Sequence, residues 1–198
     1  AAWKFTAPEA CVGSPAQSPD GLLALATNKS LYVLDGESGT LLWNTALPGT
    51  PVFGPALWHQ QMVLATTDAI EVRSLVSGEL VWKVPITACL TPPVIIKDRA
   101  ALVCNGGELV VLDLQNKQHI QVAGASPKVP PFSVTPDSLV YLGEKDLLLL
   151  DLGSGTTSRW YGPVHWLGPV CTPLVMLDHQ LFFGSTNKGV VCLRPKKQ

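Results

Sequence analysis

Short apolar runs alternate with clusters of turn residues along the whole chain. The apolar run 22–27 follows a Pro-Asp-Gly turn, and a polar turn at 28–30 leads into a second run, 31–35, rich in residues that favour strands. A third apolar stretch ends at Trp43 and follows Gly39, which can adopt positive φ. No segment carries an apolar stripe with a 3.6-residue period over three turns, so the pattern predicts an all-β chain.

This pattern recurs along the chain in units that open with a proline and close with a tryptophan. The tryptophan series steps by 39 or 40 residues and consists of Trp3, Trp43, Trp82 and Trp160, with Gln121 in the remaining slot. The proline series steps by 38 to 42 residues and consists of Pro15, Pro55, Pro93, Pro131 and Pro173. Two markers in phase indicate one supersecondary unit copied several times.

Each unit is expected to hold four antiparallel strands, because a short strand near the proline precedes the three apolar runs. Regular four-stranded units of this length are typical of β-propeller blades, which are arranged radially about a channel as in WD40-like repeat proteins. The sequence predicts about five blades in one propeller domain or propeller fragment covering 1–198. The expected units are approximately 11–47, 48–86, 87–125, 126–164 and 165–198 together with 1–6.

The two ends leave the blade number of the ring open. Trp3-Lys4-Phe5 has the character of an outer strand, whereas the last unit stops at 192–194, where an outer strand is expected. In one interpretation the first segment completes the last unit and closes a five-blade ring, which removes exposed strand edges. In the other, the chain is part of a larger propeller with seven or eight blades, and the polar end 194–198 favours this interpretation.

The charge and the apolar content exclude two classes of function. Charged residues make up 15% of the chain and the formal net charge is −1, so no positive surface is expected for nucleic acid. The longest apolar runs are a few residues long, far short of the roughly 20 needed to cross a bilayer. We therefore expect neither a nucleic-acid partner nor a membrane span.

The cysteines favour a reducing compartment. They are odd in number and form no CxxC motif, at Cys11, Cys89, Cys104, Cys171 and Cys192. This pattern is typical of free thiols, so a cytoplasmic location is favoured over a secreted one. Three of them, Cys11, Cys89 and Cys171, each precede an inner strand. They could meet as a redox or metal cluster, but small side chains filling the narrow inner part of the blades are the favoured interpretation.

The spacing Asp35-x3-Gly39-x3-Trp43 matches a tryptophan-docking motif, in which the tryptophan is expected to pack between adjacent blades. The unit around it resembles the repeats of the PQQ-like (quinoprotein-dehydrogenase-like) β-propeller family. The second unit keeps Gly78-x3-Trp82 but has Ser74 in place of the aspartate. Other stretches, such as that at 47–53, loosely resemble the C-terminal propeller of the β-alanine-activating acyl-adenylating enzymes. The resemblance implies a propeller fold and leaves the function open.

The family resemblance raises the possibility of an enzyme, because some members are PQQ-dependent dehydrogenases. In those relatives the site requires a calcium ion, a catalytic aspartate and, in the alcohol dehydrogenases, a vicinal disulfide. This chain has no adjacent cysteines, and Asp35, Asp113 and Asp151 occupy equivalent repeat positions where capping of a turn explains all three. We therefore predict no catalytic residue, no cofactor and no metal site in this chain.

The remaining candidates for function are aromatic residues outside the repeat pattern. Three of them lie around a Gly-Pro turn between the fourth and fifth units, namely Tyr161, His165 and Trp166. The fourth is Trp58, in the second unit. They could form a rim that anchors a partner, since rigid aromatics dominate interface energetics, or they could fill the space between blades. The leading hypothesis is a noncatalytic interaction or scaffold module that binds a protein partner or another domain of a larger chain. The alternatives are a fragment of a PQQ-dependent dehydrogenase and a periplasmic outer-membrane assembly factor.

Overall fold

The chain folds into a series of antiparallel sheets. The structure is a computed structural model that describes residues 2–126, 129–164, 169–170, 172–178 and 180–194. Within these ranges it contains 19 strands in five sheets and no helix. The predicted all-β fold class is therefore confirmed.

Every sheet is a meander in which consecutive strands are hydrogen-bonded neighbours. The first sheet comprises β1 (Cys11–Gln17), β2 (Leu22–Thr27), β3 (Ser30–Asp35) and β4 (Leu41–Ala46). The second comprises β5 (Ala56–Trp58), β6 (Gln61–Ala65), β7 (Ala69–Ser74) and β8 (Leu80–Pro85). The third comprises β9 (Val94–Ile96), β10 (Arg99–Cys104), β11 (Glu108–Asp113) and β12 (Gln118–Ala123). The fourth comprises β13 (Phe132–Thr135), β14 (Ser138–Leu142), β15 (Leu147–Asp151) and β16 (Thr157–Tyr161), and the fifth has three strands, β17 (Val175–Leu177), β18 (Gln180–Ser185) and β19 (Gly189–Leu193).

The proline markers lie at positions where a strand tolerates the loss of a backbone donor. Pro15 lies inside β1, where the pairing register with β2 shifts between Val12 and Ala16. In the later sheets the marker precedes the first strand by one or two residues, as do Pro55, Pro93, Pro131 and Pro173. Because proline has no N–H for the ladder, strand starts and irregularities are its compatible sites. The proline series therefore marks the first strand of each sheet.

Successive sheets pack face to face, with an apolar cluster in each contact. Ala26, Leu31 and Met62 are buried between the first and second sheets, and Val140 and Phe183 between the fourth and fifth. The middle strands are covered on both faces, which explains why their sequences are continuous apolar runs rather than alternating ones. Stacked four-stranded sheets of this kind are propeller blades, as the repeat predicted.

Tryptophan docking joins the first sheet to the second, and the segment before β1 to the first sheet. The Trp43 indole Nε1 donates a hydrogen bond to the Leu75 carbonyl at 3.1 Å, and its ring covers Gly78. A Cβ added to Gly78, whose φ is +76°, would lie 2.8 Å from the ring. Trp3 docks in the same way on the turn of the first sheet, where its Nε1 donates to the Gly36 carbonyl at 3.2 Å. The predicted packing role of these two tryptophans is confirmed.

The docking geometry changes at the third sheet. Lys117, with φ +55°, occupies the turn position that glycine holds in the first two sheets. Trp82, which would dock there, has a buried indole N–H with no hydrogen-bond partner. Gln121 stands in the next tryptophan slot and is exposed, and the space above Gly155 in the fourth sheet is open. Docking of a tryptophan on a glycine turn therefore occurs at the first two turns and not at these later ones.

The segment before β1 covers the outer face of the first sheet. Phe5 packs on Tyr32 with ring centroids 5.6 Å apart, and the Tyr32 hydroxyl donates to Glu9 Oε2 at 2.8 Å. Residues 2–10 form no strand, and β19 lies at the edge of the described fifth sheet. The five described sheets are thus not closed into a ring by the segment Trp3-Lys4-Phe5, and the blade number of the native ring stays a prediction.

A buried ion pair lies on β7 beside the second docking turn. Arg73 Nε donates to Glu71 Oε2 at 2.7 Å, and both side chains are almost fully buried. Arg73 Nη1 also donates to the Gly78 carbonyl at 2.9 Å. The pair alternates with Ile70 and Val72, which belong to the apolar cluster between the second and third sheets, so it faces the first sheet instead. It therefore supports the turn on which Trp43 docks.

Candidate interaction site

One face of the fifth sheet is apolar and exposed. Val175, Leu177 and Val190 are 58%, 62% and 82% exposed. Phe182 and Cys192 lie on the same side, because Phe182 is paired directly with both Val175 and Cys192. The residues that alternate with them, including Leu181 and Phe183, are buried against the fourth sheet. We call the five residues Val175, Leu177, Phe182, Val190 and Cys192 the terminal face.

The same sheet also presents a strand edge. In the first four sheets a fourth strand pairs with the third, whereas β19 pairs only with β18 among the described residues. The backbone donors and acceptors on the outer side of β19 are thus available to a further strand. An apolar face beside an unpaired edge is chemically suited to another β-structure, which can cover the face and extend the sheet.

Trp58, one of the predicted rim residues, ends β5 and lies between two sheets. Its Nε1 donates to Asp98 Oδ1 at 3.3 Å, and its ring makes an edge contact with His59 at 4.8 Å between centroids. The side chain is half-buried and packs against the apolar cluster between the second and third sheets. His59 itself is 74% exposed. The structure gives Trp58 a packing role, and its role in binding stays a prediction.

Tyr161, the other rim residue within the described ranges, does not join Trp58 in one patch. Tyr161 ends β16, is half-buried and packs in the cluster between the fourth and fifth sheets. In a four-stranded meander the first and fourth strands run in opposite directions, so Trp58 and Tyr161 lie at opposite ends of their sheets. His165 and Trp166 lie outside the described residues. A binding role for Tyr161, His165 and Trp166 stays a prediction.

An open cavity of about 820 Å³ lies across the third to fifth sheets. Its walls come from strand-connecting turns and from the segments that link the sheets. Much of the wall is backbone, since glycines occur at Gly106, Gly107, Gly124 and Gly143, and the polar side chains in it are Asn105, Ser126 and Glu144. Leu90 and Val170 add apolar surface. The cavity has space for a small molecule or a short peptide segment.

The three equivalent aspartates cap turns, as predicted. Asp35 Oδ1 accepts hydrogen bonds from the Ser38 backbone N–H and hydroxyl, both at 2.7 Å, and Asp151 Oδ1 accepts the same pair from Ser154 at 2.7 and 2.8 Å. These bonds stabilise the carboxylate and lower the pKa of both Asp35 and Asp151. Burial opposes the shift at Asp113, but the hydrogen bonds from Asn116 and Gln115 and the charge of Arg99 together outweigh it, so its pKa is lowered too.

Each of these acids therefore caps the turn after the third strand of its sheet, and among the three only the Asp35 turn carries a glycine, Gly39, on which a tryptophan docks. In the described ranges, no group of three or more His, Cys, Asp or Glu side chains is arranged to hold a metal ion. The described part of the chain likewise contains no helix with the length and hydropathy of a membrane span.

The cysteines follow the favoured filling interpretation at the buried Cys89 but not at the exposed Cys11. Cys11 and Cys192 are exposed, and Cys171 lies outside the described residues. Cys89 is instead paired with Cys104, at a distance of 3.4 Å between the Sγ atoms, and both are buried. The hydrogen bond between them lowers the pKa of Cys104 and, together with burial, raises that of Cys89. Cys89 and Cys11, in different sheets, thus form no common cluster within the described structure.

The repeat pattern, the docking turns and the stacked sheets can be compared with known families. The family model described as outer membrane protein assembly factor BamB matches residues 1–198. The chain belongs to this PQQ-like repeat β-propeller family. The resemblance inferred from the docking motif is therefore confirmed. No curated protein sequence is significantly similar to this family member.

Solved structures agree with the family assignment at the level of the fold. The crystal structure of BamB from Moraxella catarrhalis has a TM-score of 0.79 and 17% identity, covering 98% of this chain and 61% of that chain. The N-terminal domain of Nup159 has a TM-score of 0.59 and 17% identity, covering 89% of this chain and 53% of that one. This member of the family thus spans about three-fifths of the BamB chain, and at these identities the likeness shows the fold alone.

Two features of the structure were not identified from the sequence. The terminal face was hidden because its strands resemble the covered strands of the other sheets. The pair Cys89 and Cys104 was missed because the β9–β10 register, in which Val94 pairs with Ala101, would place Gly106 opposite Cys89. The irregular segment 90–93, which contains two prolines, shifts the pairing register by two residues, so that Cys104 rather than Gly106 lies opposite Cys89. The one sign of this pairing in the sequence is that both cysteines lie near the same hairpin.

Proposed function

We propose that the chain is a noncatalytic β-propeller module that binds a protein partner or another domain of a longer chain. The observation that carries this proposal is the terminal face. Its three most exposed apolar side chains, Val175, Leu177 and Val190, occupy a sheet surface that the neighbouring sheet covers in every other blade contact. Contiguous exposed apolar surface of this kind is typical of interaction sites.

The proposed partner is one that presents a β-strand and an apolar sheet face. The strand would pair with the outer edge of β19, the position that a fourth strand fills in the other sheets. The apolar face would cover Leu177, Phe182 and Val190 in the way that successive sheets of this chain cover one another. Backbone pairing would give affinity and register, and the apolar contacts would supply most of the buried area.

Family membership supports a second candidate, a periplasmic factor in outer-membrane protein assembly. The match of the BamB family model to residues 1–198 is the observation that favours it. The two candidates differ in compartment, because free thiols favour a cytoplasmic location for the first. Fractionation of the source cells separates them: recovery in the periplasm supports the assembly factor, and recovery in the cytoplasm supports the interaction module.

Site-specific photo-crosslinking tests the terminal face directly. A photoreactive phenylalanine analogue is placed at Val190 in the full-length natural protein, and a matched variant carries it at Gln121, which is exposed on another sheet. We expect Val190 to crosslink to one defined apolar segment, identified by mass spectrometry as part of a partner or of another domain. Equal, scattered crosslinks from the two positions, or none from Val190, would contradict the proposal.

A further inference from the structure

Cys89 and Cys104 occupy a backbone arrangement that favours a bond between their side chains. They form an isolated antiparallel bridge between the segment preceding β9 and the end of β10. The flanking hydrogen bonds run from the Leu90 N–H to the Val103 carbonyl and from the Asn105 N–H to the Ala88 carbonyl, at 2.8 and 2.9 Å. This pattern makes Cys89 and Cys104 a non-hydrogen-bonded pair, the kind whose side chains approach most closely.

The sulfur atoms need only a small movement to bond. Cα atoms in such a pair lie roughly 4.5 Å apart, within the span of about 4.4–6.8 Å that disulfides tolerate. The Sγ atoms are 3.4 Å apart, and rotation about the side-chain torsions suffices to shorten this distance to the bonding value. The backbone of both strands can stay where it is.

We propose that Cys89 and Cys104 are a redox-sensitive dithiol that a peroxide converts reversibly into a cross-strand disulfide. A small oxidant suits the site, because both sulfurs are buried. The 820 Å³ cavity provides an approach, since its wall includes Leu90 and Asn105, the chain neighbours of the two cysteines. The proposal goes beyond the interaction function, which does not depend on either thiol.

The chemistry balances with one molecule of hydrogen peroxide. The Cys104 thiolate attacks one peroxide oxygen, the O–O bond breaks, and hydroxide leaves, so that Cys104 becomes a sulfenic acid. The Cys89 sulfur then attacks Sγ of Cys104, the S–O bond breaks, and the oxygen departs as water with the Cys89 proton. The hydroxide takes up the proton that Cys104 released on ionising, so two thiols are oxidised and the peroxide is reduced to two waters. A thiol reductant restores the dithiol by exchange.

The bond would fasten the segment linking the second and third sheets to β10. This segment contributes Leu90 to the cavity wall, so oxidation would fix that part of the wall. A disulfide closing a loop of this length is expected to raise Tm by roughly 5–10 °C in a chain of this size. The shift should vanish when a reductant is added.

Peptide mapping of the peroxide-treated chain tests the proposal. Trypsin cleaves after Lys97 and Arg99, so Cys89 lies in the peptide 84–97 and Cys104 in the peptide 100–117. Free thiols are alkylated under denaturing conditions before digestion. We expect the two peptides to appear as one linked species that lacks two hydrogens and separates on reduction. A Cys104→Ala variant should lose both the linked species and the rise in Tm.

The exposed cysteines provide the internal control for the oxidant. Cys11 and Cys192 should lose alkylation in the same sample, which shows that peroxide was active. If they react while Cys89 and Cys104 remain alkylated on separate peptides, the proposal is overturned. Linkage of Cys89 or Cys104 to a different cysteine would overturn it as well. Both outcomes are read on the unmodified sequence, so they do not depend on the folding of a variant.

Discussion

At the scale of single residues, a glycine in a turn decides whether a tryptophan can dock on the next sheet. Gly78 accepts the Trp43 ring because it has no Cβ and a φ of +76°. At the equivalent turn of the third sheet Lys117 adopts the same left-handed conformation with a side chain attached, and the Trp82 indole N–H stays without a partner. One substitution in the repeat thus changes the contact between two blades.

Two substitutions, Gly78→Ala and Gly155→Ala, separate the free-energy cost of a left-handed backbone from the cost of losing the contact with the Trp43 ring. Both glycines have positive φ, but the docked Trp43 ring lies above Gly78 while the space above Gly155 is open. Gly155→Ala should cost about 1 kcal/mol through the left-handed backbone, and Gly78→Ala about 2–4 kcal/mol because it also displaces the ring. Urea unfolding of the two variants measures this difference. Equal losses would mean that the Trp43 contact contributes nothing to stability.

At the scale of strands and sheets, most elements follow from the local pattern of the sequence. Apolar runs bounded by turn residues predicted the second and third strands of each sheet, because those strands are covered on both faces. The aspartate of the docking motif predicted its own capping role. The pairing of Cys89 with Cys104 could not be predicted, since it depends on an irregular segment that shifts the register by two residues. Which aromatic side chains pack and which are exposed likewise depends on contacts between sheets.

The strand β7 carries a buried charge pair that tests the contact between the first two sheets. Arg73→Ala leaves the Glu71 carboxylate buried without its partner and removes the hydrogen bond to the Gly78 carbonyl. We expect a loss of about 3–5 kcal/mol in the free energy of unfolding. The double variant Glu71→Leu/Arg73→Met fills similar volume without charge and should stay within about 1 kcal/mol of the parent chain.

The double variant is the informative control. Thermal unfolding followed by circular dichroism measures the stability of the single and the double variant. If the pair is required for specific packing rather than for charge balance, the double variant will be as unstable as Arg73→Ala. That result would contradict the prediction.

At the scale of the whole molecule, the apolar clusters of the described residues join each sheet to the next in the series, and the outer face of the fifth sheet belongs to none of them. Propeller blades are stable because adjacent blades bury both of their faces. The first sheet has Phe5 and Glu9 packed against its outer side, whereas the terminal face has Val190 82% exposed. The sequence pattern predicted the repeat units that form the first and fifth sheets. It could not predict the exposure of the terminal face, because that exposure depends on how the sheets are stacked.

The terminal face should make the chain associate with itself when no partner is present. Apolar sheet faces beside an open strand edge pair with one another, so the 198-residue chain should form dimers or larger species as its concentration rises. Leu177→Lys/Val190→Lys places two charges on this face at positions that are 62% and 82% exposed. We expect this variant to stay monomeric, with its stability unchanged within about 0.5 kcal/mol because neither side chain is buried. Val76→Lys, at a residue 63% exposed in a turn of the second sheet, is the matched control and should associate like the parent chain.

Analytical ultracentrifugation over a range of concentrations measures the association of the parent chain, the double variant and the control variant. Equal association of the double variant and the parent would show that the terminal face is not the surface through which the chain binds.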